Sequence, residues 1–95
     1  MTQATRALLR AITAGAGAEP QLLADRGRDW RSATFAGRRH ALTLRLPYAA
    51  AERLAAAMAD GTIAPRGHLI VEAGVTRAAG DPTLLTIAAM TVELA

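Results

Sequence analysis

Apolar residues recur at helical spacing in two stretches of this chain, and alternating runs follow each one. In residues 2–14, Ala4, Ala7, Leu8, Ala11 and Ile12 fall three and four apart, with Gln3, Arg6, Arg10 and Thr13 mostly opposite. Thr2 or Thr5 caps the start, and Gly15 supplies a left-handed stop. From 21 to 46 the period becomes two. Leu22 and Leu23 open an extended run that Arg26-Gly27-Arg28-Asp29 interrupts as a turn or bulge. Ala36-Gly37-Arg38-Arg39 reads as a hairpin tip, and His40, Leu42, Leu44 and Leu46 then share one buried face.

The second copy begins at Pro47, where a missing donor costs little at a helix start. Tyr48, Ala51, Leu54, Ala55 and Met58 line one side of that helix, and Gly61 closes it. In 68–77, Leu69, Val71, Ala73 and Val75 alternate with His68, Ile70, Glu72, Gly74 and Thr76. Residues 78–82 form a hairpin loop. The last strand, 83–94, is apolar on both faces.

These elements predict one α+β domain over 1–95, in the order αββαββ, with halves of about 1–46 and 47–95. The expected sheet is four-stranded and antiparallel-rich, with two helices on one face and an internal pseudo-repeat. The helices cover only one sheet face. The other would carry Ile70, Leu85, Ile87 and Ala89 beside Thr43, Thr76 and Thr86, and an apolar patch of that kind marks an interface. The expectation is a homodimer, or a module that binds another protein.

Composition narrows this picture. Cysteine is absent, which removes disulfides and thiolate metal sites. Every basic residue is arginine, and with abundant alanine this points to a GC-rich bacterial coding sequence. Net charge is only +3, but it is unevenly spread: residues 1–47 carry +5 and residues 48–95 carry −2. Arg6 and Arg10 break any secretory apolar segment, and no run reaches membrane-spanning length, so a cytoplasmic protein without membrane contact is expected.

The sharpest cationic group is Arg38-Arg39-His40. With Arg31, Arg45 and a ring from Trp30 or Phe35 it forms a candidate anion or nucleic-acid contact, although the core also needs those rings. His40 and His68 with Asp25, Asp29 or Glu72 lack the paired spacing of a metal site. Glu72 is either a buried acid or an outward partner for an arginine. Ser32, the only serine, lies in a strand rather than on a nucleophile elbow. Gly15-Ala16-Gly17 precedes an extended segment and is no dinucleotide loop. No catalytic residue and no cofactor is assigned. A ligand pocket near Trp30, Tyr48 and His40 is a further alternative.

The stretch from Trp30 through Gly37-Arg38-Arg39-His40 to Leu42-Thr43-Leu44 resembles small uncharacterised proteins of GC-rich bacteria. Gly67-His68-Leu69, Leu85-Thr86-Ile87 and Met90-Thr91-Val92-Glu93 extend the resemblance, which implies a natural bacterial domain and no activity.

Overall fold

Helix α1, Gln3–Ala16, starts where Thr2 stands in extended backbone and its Oγ1 accepts the Thr5 N–H at 3.1 Å. The helix runs past its expected stop. Gly17, at φ 71°, takes the left-handed cap, and its N–H donates to the Thr13 carbonyl. Gly15 lies inside the helix for a packing reason: a Cβ there would collide with the Ile63 side chain. The computed structural model describes residues 1–94.

After α1 come β1 (Gln21–Asp25), β2 (Arg28–Arg31), β3 (Ala36–Arg45), α2 (Tyr48–Asp60), β4 (His68–Ala78) and β5 (Asp81–Glu93). The order is therefore αβββαββ. The sheet has five strands and all its pairings are antiparallel: β1 and β2 both pair with β3, β3 with β5, and β5 with β4. The additional strand arises because β1 and β2 are one extended path bent at Arg26-Gly27. The Arg26 N–H still donates to the Ala41 carbonyl at 2.9 Å across the bend. A Cβ on Gly27 would stand 2.7 Å from the Arg39 carbonyl oxygen, so the close approach requires glycine.

The tip of the first hairpin is 32–35, not 36–39. The Ser32 N–H donates to the Phe35 carbonyl at 2.8 Å, and Ser32 Oγ accepts the Phe35 N–H at 3.0 Å. Arg38 and Arg39 consequently lie within β3, on opposite faces of the sheet. The second hairpin closes tightly through Ala79-Gly80, with Gly80 at φ 80°.

Both helices feed one core. Leu8 and Ile12 of α1, and Ala51 and Leu54 of α2, meet Leu42 and Leu44 of β3 and Leu85 and Ile87 of β5, all fully buried. This corrects the expected face of the last strand. Directly opposed residues of an antiparallel pair share a face. The pairs Leu42↔Ile87 and Leu44↔Leu85 therefore carry Leu85 and Ile87 to the buried leucine side, and Ala89 follows them.

A bulge completes the correction. The β4–β5 register shifts between Ile70 and Glu72, leaving Val71 as the extra residue. Ile70, opposite Thr91, and Val75, opposite Ile87, pack on the core, while Leu69 and Val71 turn outward. Simple alternation had placed Leu69, Val71 and Val75 together. No described helix is long and apolar enough to cross a membrane.

Candidate functional site

Cross-strand register builds the helix-free face in rows. Arg28, Arg39, Met90 and Glu72 form one row, and Ala41, Ala88 and Gly74 the next. Thr43, Thr86 and Thr76 form a third. On the other side of the arginine row come Trp30, Gly37, Val92 and Leu69. The Trp30 ring lies where a Gly37 side chain would be, 2.7 Å from that position at its nearest atom.

The run Asp25-Arg26-Gly27-Arg28-Asp29 sorts its charges by face. Asp25 and Asp29 turn to one side and hold Arg38 at 3.5 and 2.9 Å. The Arg38 side chain is only 11% exposed, so its charge is committed there. Arg26 and Arg28 turn to the other side and join Arg39 around a depression of about 330 Å³. Ala41, Ala88, Met90 and Glu72 also line it, with His40 and Ala89 behind them. Arg39 stands 3.8 Å from Glu72, with both side chains about two-thirds exposed. Among the described residues, Arg26 and Arg28 have no carboxylate partner.

The cationic group expected from sequence is thus divided. Arg39 stays on the helix-free face and Arg38 does not. Arg45 binds Asp81 at 2.9 Å and the Thr83 hydroxyl at 3.1 Å at the other end of β3. Arg31 lies beside the hairpin tip. His40 is buried on the core side, where its Nε2 lies 2.8 Å from Thr91 Oγ1 and its Nδ1 has no partner. Burial, reinforced by the nearby Arg38 charge, lowers its pKa to about 4. It is a neutral imidazole at neutral pH and adds nothing to an anion site.

The other candidates are also separated. His68 Nδ1 meets the Arg66 carbonyl at 3.1 Å. Among the described residues, no three His, Asp or Glu side chains could hold one metal ion. The Ser32 hydroxyl is taken up by its own turn. Tyr48 is exposed beneath the Arg77 guanidinium, 5.6 Å from its ring centre, and Arg77 in turn binds Glu52 at 2.7 Å. Glu72 is the outward partner of Arg39 rather than a buried acid.

A second feature adjoins the arginine depression. Phe35, Leu69, Val71 and Leu94 are exposed and surround a shallow space with Val92, rimmed by Arg31 and Glu93. Phe35 therefore supplies surface and not core. Sequence reasoning missed both groupings. The signal for Arg26 and Arg28 was alternation across Gly27, hidden when the segment is read as a turn or bulge. Comparison with protein-family models, with curated proteins and with solved structures finds no match for this chain.

Proposed function

We propose that this protein is a small interaction module that forms a weak homodimer through the apolar corner of its helix-free sheet face. One observation carries this reading: of the seven large hydrophobic residues exposed among the described residues, four gather at that corner, namely Phe35, Leu69, Val71 and Leu94. Residues scattered singly need no explanation, but a contiguous apolar group does. Arg31 and Glu93 at its rim have opposite charge and no partner within the described chain, so a two-fold axis could set each against the other of a second copy.

The extent of the patch sets the strength. Its four exposed side chains offer roughly 400 Å² per chain, below the ~800 Å² per partner of a standard stable interface. An interface of that size belongs with weak, reversible associations. Pairing through the open edge of β4 is a poorer route, because two register shifts interrupt that strand. The repetition of a helix and an antiparallel strand pair, with β3 and β5 central, supports reading the chain as an internal pseudo-repeat whose halves differ in surface.

Sedimentation velocity across a concentration series tests the proposal. The wild type should pass from monomer to dimer, and Leu69→Asp should hold it monomeric with its circular dichroism unchanged. A wild type that stays monomeric at millimolar concentration would overturn it.

A further inference from the structure

We propose that the depression between Arg26, Arg28 and Arg39 binds the phosphate of a small, flat phosphorylated ligand with the size and chemistry of a nucleoside monophosphate. This inference stands apart from dimer formation and rests on different residues.

Three observations point to a bound anion. The first is the sorting of charge in 25–29: both aspartates serve Arg38, and both flanking arginines are left to the other face. The second is register. Arg28 and Arg39 are direct cross-strand partners, and like charges placed opposite each other destabilise a strand pair. A polyvalent anion between them reverses the sign of that interaction. The third is the charge balance of the depression, with three guanidinium groups around it and Glu72 as its one carboxylate. Glu72 sits 3.8 Å from Arg39 on an exposed surface, which is a contact that an incoming ligand readily displaces.

The chemistry of the ligand follows from the lining. Guanidinium groups present planar forks of N–H donors that match phosphate oxygens, and three of them suit a dianion better than a single carboxylate. Beside the arginines, Ala41 and Ala88 line the depression with nothing beyond a Cβ, so no side chain projects there to obstruct a planar group. Met90 borders it with a polarisable thioether, a group that packs well on aromatic rings. The space of about 330 Å³ lies at the small end of ligand pockets and fits one compact molecule. A nucleic-acid strand would need cations along a track. On this face the next arginine of β3, Arg45, is already bound to Asp81.

The single tryptophan, Trp30, lies two residues from Arg28 on β2 and serves as a reporter. Adenosine monophosphate, inorganic phosphate and an oligothymidylate would each be titrated against full-length protein at low ionic strength, by fluorescence and by thermal melting. Adenosine monophosphate should bind saturably and, at ten times its Kd, raise Tm by roughly 6–10 °C. Phosphate should bind the same site at least tenfold more weakly. Arg28→Ala should weaken nucleotide binding at least tenfold while the ligand-free protein melts no lower than wild type. Arg10→Ala, on α1, should leave binding within twofold. The proposal is overturned if folded wild type shows no saturable binding of either phosphate compound, or if Arg10→Ala loses as much as Arg28→Ala. Phosphate binding as tightly as the nucleotide overturns the seat for the ring. Oligothymidylate binding with a steep salt dependence, and no binding of the mononucleotide, identifies a nucleic-acid surface instead. Because the readout is ligand binding, a monomeric wild type in sedimentation leaves this outcome unaffected.

Discussion

His40 shows two sequence signals in conflict. Alternation puts it on the leucine face with Leu42 and Leu44, whereas the run Arg38-Arg39-His40 suggests a surface cation cluster. The structure follows the alternation: His40 is buried against Thr91, with its pKa lowered to about 4 by burial and by Arg38. Asp25 and Asp29 act in the opposite direction and His68 in the same one, each less strongly than burial. The folded state disfavours the imidazolium, so the unfolded chain binds more protons between the two pKa values. Stability is complete above pH 6.5 and falls as pH drops toward 4, by roughly 3 kcal/mol at most. Urea denaturation should show the upper part of this loss above the range where carboxylates titrate. His40→Gln keeps a polar partner for Thr91 and should flatten the profile there; an unchanged slope in that variant would assign the effect elsewhere.

At the scale of elements, helix periodicity was legible because α1 and α2 each have one buried stripe under a continuous hydrogen-bond ladder. What escaped was backbone irregularity. A bulge at Val71 leaves local composition unchanged yet reverses which residues face inward, and a bend at Gly27 splits one extended path into two strands. The interface expected at Ile70 failed for that reason, whereas Leu85, Ile87 and Ala89 of the regular strand β5 are carried inward by their pairing with β3. The end of α1 was also misplaced, since part of its cap comes from another element. Arg53 of α2 donates its Nε–H to the Ala16 carbonyl at 2.8 Å, placing a cation at a helix C-terminus that has no basic residue of its own. Arg53→Ala should cost about 1 kcal/mol. Gly17→Ala should cost a similar ~1 kcal/mol through its positive φ. A Cβ at 17 would also stand 3.3 Å from Arg53 Nε and disturb the same contact. Chemical denaturation of the double variant should therefore show less than the sum of the two losses; strict additivity would separate the cap from the arginine.

Across the whole molecule, the split between a +5 half and a −2 half is partly resolved inside the chain. Arg39–Glu72 and Arg45–Asp81 join the halves, while Arg38 and Arg77 find their acids within their own. The internal pairing weakens the case for a dimer held by opposing halves and moves it to particular groups that remain free. At the apolar corner these are Arg31 and Glu93, which line its rim beside the exposed Phe35 and Leu94. In a two-fold dimer centred there, Arg31 of each copy approaches Glu93 of the other, so the pair occurs twice. Such rim charges contribute modestly, about 0.2–1 kcal/mol each, and act mainly on orientation. Arg31→Glu alone sets acid against acid at both contacts, and Glu93→Arg alone sets base against base. Each should weaken the dimer by about fivefold to thirtyfold in sedimentation equilibrium at low salt, which corresponds to ~1–2 kcal/mol over two contacts. The double variant restores opposite charges in exchanged places and should recover an affinity near wild type. Recovery requires the two residues to face each other across the interface, because neither is paired with the other within one chain. Equal weakening in the double variant would keep the apolar corner as the contact but reject this orientation of the two-fold.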